Sequence, residues 1–281
     1  MNVWILGARS RTLPAAIAPV IVGTILAGSH WSLVPALLAL FVSLALQVGV
    51  NYSNDYSDGI RGTDADRVGP VRITAAGLAS PSAVKRAALI SFGLACSAGL
   101  YLALTTSLWV IAVGVIAIGA AWGYTGGKNP YGYKGLGEIS VFIFFGVVAT
   151  VGTFFVQTES ITSRALIASL PMGSLACAML AINNIRDREK DAVVGKRTLA
   201  VRLGDRGSRI FFALLLLTPY LFAFITAEIW GALTLLALPM AISIVRGVLS
   251  GTKGGALIPL LAKTGKYQLL FALTFAVALS R

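Results

Sequence analysis

Polar residues are sparse along this chain. Apolar runs of about 20 residues, the length that crosses the hydrocarbon core of a bilayer, follow one another over nearly the whole sequence. The pattern predicts nine spans, at 13–29, 33–54, 83–104, 107–124, 137–157, 164–185, 209–227, 229–248 and 265–280. No hydrophilic block between them is long enough to fold as a separate soluble domain. Residues 1–281 are therefore expected to form one unit, an all-α integral membrane bundle. The apolar stretch after Arg9 and Arg11 contains Pro14 and Pro19 and lacks a convincing cleavage site, so it is expected to be the first span and not a signal peptide.

Composition sharpens this reading. Only 12% of the residues are charged, where a soluble domain carries roughly a quarter. The net charge of +12 would suggest a nucleic-acid partner if it were spread evenly, but it is not. With the nine spans placed as above, 21 of the 23 Lys and Arg residues fall on one side, and only Arg164 and Arg281 fall on the other. The positive-inside rule makes the first side cytoplasmic, N-terminus included, as in a multi-pass protein of the cell membrane. The excess charge is thus a topology signal, and no nucleic acid is expected. Cys96 and Cys177 lie inside spans and read as small apolar side chains, with no disulfide or zinc site indicated. His30, the single histidine, sits in a short outer turn, which argues against histidine catalysis.

The connections on the outer side are terse, whereas those after spans two and six are long, polar and rich in glycine. All seven aspartates lie at the inner ends of those two spans or in those two loops. At the end of span two, Gln47, Asn51, Asn54, Asp55 and Asp58 fall within a helical arc of about 100°. Span six repeats the arrangement with Asn183, Asn184, Asp187 and Asp191. Four crossings separate the clusters, so both belong to the same membrane side. A weak internal duplication is also expected, pairing Asp66, Gly69, Arg72 and Thr74 with Asp191, Gly195, Arg197 and Thr198. Polar groups within a span are costly unless they face the interior and bind something. Several carboxylates in one place repel unless cations join them. Mg²⁺ suits the requirement, because it takes oxygen ligands and commonly binds through one or two carboxylates plus a substrate phosphate. Arg72, Lys196 and Arg197 would then face the phosphate.

Four segments carry a resemblance: Arg11-Thr12-Leu13-Pro14, NYSNDYSDGIRGTDADRVGPVRIT at 51–74, GLGEISVFIFFG at 135–146, and NNIRDREKDAVVGKRTLAVRLG at 183–204. With these the chain resembles the UbiA superfamily of membrane prenyltransferases. Within it, the chain looks most like the enzymes that prenylate 1,4-dihydroxy-2-naphthoate in menaquinone synthesis, and less like the 4-hydroxybenzoate enzymes. The resemblance implies a nine-helix bundle in which two aspartate motifs hold Mg²⁺ on a polyprenyl diphosphate. Asn54 and Asp58 match the first motif and Asp187 and Asp191 the second. Gly62 stands where the family has a further aspartate, so Asp64 or Asp66 would supply that ligand, and Asp55 is an additional candidate.

The expected site thus comprises Asn54, Asp55, Asp58, Asp64, Asp187 and Asp191 for the metal. Asn51, Arg72, Lys196, Arg197, Tyr124, Tyr131 and Asn183 are expected around the substrates. Lys134, in the loop YGYKGLGE, is the candidate for the carboxylate of the aromatic acid, with Tyr131 or Tyr133 nearby. Phe142, Phe144, Phe145 and Tyr124 could stabilise an allylic cation through their ring faces. Two other classes are weighed against this one. A secondary transporter also has internal repeats, but places its polar site at mid-membrane. A CDP-alcohol phosphotransferase packs its aspartates into one continuous segment.

Overall fold

The computed structural model describes residues 2–63 and 69–281. Among these the chain is helical throughout its ordered elements, without strands. A short α1 (Val3–Ala8) meets α2 (Pro14–Leu26) at a bend of 52°. There follow α3 (Leu33–Ile60), α4 (Pro81–Thr105) and α5 (Trp109–Gly123). Next, α6 (Gly137–Phe142) runs through a π-helical turn, Ile143–Val148, into α7 (Ala149–Thr158). The last four are α8 (Ser163–Val193), α9 (Leu199–Ala227), α10 (Leu238–Leu249) and α11 (Leu257–Leu279).

Each predicted span coincides with helix, but the number nine is not established. Among the described residues five helices are long and apolar enough to cross a bilayer, or six if the bent α1–α2 pair forms one span. The physical reasons are visible. Helix α5 has only 15 residues, and the turn expected at Ala227–Glu228 is a break at Glu228 followed by a 3-10 stretch that keeps Leu199–Leu249 helical. Multi-pass membrane architecture follows from either count.

Local chemistry sets the helix ends. Ser80 caps α4 by accepting the N–H of Ala83, with Pro81 in the first turn, and Thr162 caps α8 in the same way through Ala165. Helix α8 is the axis of the bundle: 78% of its apolar window is buried, against 22% for α3. Behind it, α9 and α11 pack a core of Phe212, Tyr220, Tyr267, Phe271 and Phe275. In front, α6–α7 crosses α8 so closely that a Cβ on Gly146 would lie 2.3 Å from the Cα of Gly173. That approach leaves space between α7 and the pair α4–α5, and the large cavity lies there.

The ends of α3 and α8 share one device. At the end of α8, Gly195 takes φ +78 and the N–H of Lys196 turns back to the carbonyl of Asp191 at 2.8 Å. At the end of α3, Gly62 takes φ +70 and the N–H of Thr63 turns back to the carbonyl of Asp58 at 3.2 Å. Both are glycine-closed helix ends of the Schellman type, which place the residue after the glycine beside the last aspartate of the helix. The structural repeat therefore pairs Asp58, Gly62 and Thr63 with Asp191, Gly195 and Lys196. The pairing expected from the sequence starts at Asp66, which lies outside the described residues.

Candidate active site

The two aspartate-bearing helix ends converge on one cavity of about 1820 Å³. Its polar end is walled by Asn51, Asn54, Asp58, Arg72, Tyr124, Tyr131, Asn183, Asp187, Asp191 and Lys196, all expected from the sequence. The bridge between the clusters is direct. Lys196, from the turn after α8, places its Nζ 3.3 Å from Oδ1 of Asp58 on α3, with both side chains almost wholly buried. Arg72 approaches the other oxygen of Asp58 at 4.0 Å. Asp187 receives a two-pronged hydrogen bond from Arg186, at 2.8 and 2.7 Å.

Tyr133 joins the three loops at this end. Its hydroxyl donates to Asp58, its ring lies 4.6 Å under the Nζ of Lys196, and its carbonyl accepts the N–H of Arg197 at 2.8 Å. Burial, and then the charge of Asp58, pushes its phenol above the usual value, so it remains a donor at neutral pH. Two carboxamides are held in place. Asn54 accepts from the Thr125 hydroxyl at 2.8 Å, and Asn184 donates to the buried Glu138 at 2.9 Å. Tyr131 donates to the carbonyl of Ala120 at 2.8 Å and meets the hydroxyl of Ser140 at 2.7 Å.

Several expectations change. Asp55 is fully buried and off the cavity wall, with its oxygens accepting the N–H groups of Ile73 and Thr74 at 3.0 and 2.9 Å and forming an ion pair with Arg9 at 3.7 Å. It anchors the 69–79 strap to α3, because a carboxylate one position from Asn54 turns about 100° around the helix. Lys134 is exposed outside the cavity, and its carbonyl accepts from Arg202. Arg197 also points away, and Lys196 takes the inward position because the Gly195 turn aims it there. Phe142 packs over Gly173 and is not part of the wall, whereas Phe144 and Phe145 are. Asn51 is largely occupied: its amide donates to Ala8 O and Thr12 Oγ1 and accepts from Gln47, holding the Arg11–Pro14 segment. Asp64 and Asp66 lie outside the described residues.

Two wall cations were given no role from the sequence, and Tyr133, expected near the aromatic acid, stands at Asp58. The cations are Arg11 and Lys190, both exposed at the cavity. Arg11 belonged to a recognisable motif, but nothing in its spacing revealed that α1 would bend toward α3. Among the described residues no three carboxylate, histidine or cysteine groups stand close enough to form a metal cage. The donor set nevertheless fits Mg²⁺. It is oxygen only, from Asn54, Asp58, Asp187 and Asp191, and such an ion relies on water and substrate phosphate to complete its shell.

Beyond this end the cavity wall is apolar, formed by α2, α3, α4, α5 and α7. A concentrated polar end with an apolar extension accommodates a lipid bearing a charged head. Comparison with known proteins agrees, since residues 16–253 match the UbiA prenyltransferase family. The chain belongs to that family. It is 49% identical to a 1,4-dihydroxy-2-naphthoate octaprenyltransferase of Mycobacterium tuberculosis, over 99% of this chain and 96% of that one. Its fold is that of other UbiA proteins of known structure. The apo UbiA homolog from Aeropyrum pernix superimposes with a TM-score of 0.74 at 14% identity, covering 94% of this chain and 97% of that one. A UbiA homolog from Archaeoglobus fulgidus bound to GPP and Mg²⁺ gives 0.63 at 15% identity, covering both chains fully. Family membership sets aside the transporter and CDP-alcohol readings.

Proposed function

We propose that this chain transfers a polyprenyl group from an allylic polyprenyl diphosphate to 1,4-dihydroxy-2-naphthoate, with loss of CO₂, at the cytoplasmic face of the cell membrane. The observation that carries the reading is the meeting of both aspartate motifs at the charged end of one long apolar cavity. The near full-length likeness to the mycobacterial naphthoate enzyme supports the choice of acceptor over 4-hydroxybenzoate. The clustering of Lys and Arg at the aspartate end supports a cytoplasmic orientation.

Asn54, Asp58, Asp187 and Asp191 would hold Mg²⁺, which when bound supplies Lewis-acid neutralisation of the leaving diphosphate. Lys196 and Arg72, already beside Asp58, offer their donors to the diphosphate oxygens. As the C1–O bond breaks, its electron pair leaves with diphosphate. The apolar wall excludes water from the allylic cation, and the rings of Phe144 and Phe145 stabilise it. The naphthoate ring carbon bearing the carboxylate then forms the new C–C bond. Loss of CO₂ returns an electron pair to the ring, so no external base is required for that step. Arg11, an exposed cation on the wall, would hold the acceptor carboxylate, in the role expected for Lys134.

The test is incubation of the purified protein with Mg²⁺, a labelled polyprenyl diphosphate and a panel of aromatic acids. Prenylated naphthoquinol with stoichiometric CO₂ is the expected result. Turnover of 4-hydroxybenzoate without CO₂ release, and none of the naphthoate, would contradict it.

A further inference from the structure

The apolar arm of the cavity runs from the aspartates to the opposite end of the bundle, and at one level in it four very small residues border the cavity beside larger ones such as Leu100, Val113 and Val151. Gly99 lies six residues before the end of α4, Gly114 five residues after the start of α5, and Gly152 six residues before the end of α7. Ala39 lies six residues after the start of α3. At 1.5 Å per residue all four stand about 8–9 Å from the same end of the bundle. They come from four different helices, and all four border the cavity. A Cβ added at Gly99, Gly114 or Gly152 meets no protein atom within 4 Å. Packing against a neighbour therefore does not explain these glycines. By contrast, Gly146 and Gly173 are required by their helix crossing. Larger residues line the arm on the far side of this level, among them Leu102, Trp109 and Val156.

Taking the prenyl-transfer reading as its basis, we propose that Gly99, Gly114 and Gly152 form a length gauge that keeps the channel open past this level. They thereby let a long prenyl chain extend beyond it. From Asp58 to the level of Ala39 along α3 is about 28 Å. A geranyl tail ends well short of that depth, whereas an octaprenyl tail extended along the arm reaches beyond the glycines. A bulky side chain at any of the three should therefore act only on the long substrate. It projects into ligand space without disturbing the bundle.

The experiment compares kcat/KM for octaprenyl and geranyl diphosphate, with the same acceptor and with protein in nanodiscs. The variants are Gly152→Phe, Gly99→Leu and Gly114→Leu. Gly93→Leu serves as the control, since Gly93 is exposed on α4, has open space around it and is not part of the wall. The octaprenyl-to-geranyl ratio is expected to fall by about tenfold or more in the channel variants and to stay at the wild-type value in Gly93→Leu. A ratio unchanged in all three channel variants overturns the gauge while leaving the transferase reading intact. Competition binding of each labelled diphosphate separates the two ideas further. A wild-type chain that binds and turns over neither diphosphate overturns the transferase reading, and the gauge with it.

Discussion

The backbone N–H of Lys196 lies 2.8 Å from the carbonyl oxygen of Asp191, closing a loop over Gly195 at φ +78. This bond makes the helix end and the active cation one unit. It swings the Lys196 side chain across the site to Asp58, 3.3 Å away on the other half of the chain. Substituting Gly195 by alanine forces a Cβ into the left-handed region, at a cost of roughly 1–2 kcal/mol. The turn is expected to relax and Lys196 to withdraw. Steady-state kinetics on Gly195→Ala should show a raised KM for the diphosphate, whereas Gly195→Asn should be milder because asparagine tolerates that conformation. Equal and unchanged KM in both variants would separate the turn from substrate binding.

The four acidic positions at the helix ends are expected to divide by role. Asp58→Asn, Asp187→Asn and Asp191→Asn should each lower Mg²⁺-dependent turnover by about a hundredfold or more, with the helical fold intact. Asp55→Ala should behave differently. It orphans the N–H groups of Ile73 and Thr74, and loss of such charged hydrogen bonds should lower stability by on the order of 3 kcal/mol. Thermal melting should shift strongly for Asp55→Ala, while the Mg²⁺ concentration dependence of its remaining activity stays near the wild-type curve.

Arg11 and Lys134 make a paired comparison. Arg11 faces the cavity and Lys134 faces away from it. Arg11→Ala should raise KM for the aromatic acid by roughly tenfold or more with a smaller effect on the diphosphate, as expected for loss of a charge-assisted contact. Lys134→Ala should leave both within about twofold. The reverse ranking would restore the role first suggested by the YGYK loop.

Tyr133→Phe removes one hydroxyl and keeps the ring beneath Lys196. Because the phenol is held above its usual pKa, its loss should lower kcat/KM evenly across neutral pH and introduce no new ionisation into the pH profile. A profile that shifts by a full unit would show that Tyr133 titrates in the working range.

Much of this arrangement was legible in the sequence, and the exceptions have physical causes. Apolar block length located the helices, since in a bilayer the backbone must satisfy itself within each span. The four-residue steps Asn54–Asp58 and Asp187–Asp191 located the oxygen donors because they stack on one helix face. The count of nine was not legible in the same way: whether Glu228 ends one helix or bends it depends on packing and not on hydropathy. That Asp55 lies off the cavity wall was not legible, because a helical wheel reports direction but not what stands there, in this case two backbone N–H groups from residues 18 and 19 positions later. Gly62 read as a missing aspartate, yet it is the left-handed closure that repeats Gly195. Lys134 and Arg197 were chosen for charge, and a one-residue difference in direction put Tyr133 and Lys196 inside instead.

The most direct test of a shared site is binding, independent of turnover. Mn²⁺, a spin-active substitute for Mg²⁺, can be titrated by electron paramagnetic resonance with and without a non-hydrolysable polyprenyl diphosphate analogue. If the ends of α3 and α8 grip one metal–diphosphate unit, Asp58→Asn and Asp191→Asn should each abolish the analogue-dependent Mn²⁺ signal. Retention of wild-type Mn²⁺ and analogue binding in either variant would show that the two aspartate clusters act separately.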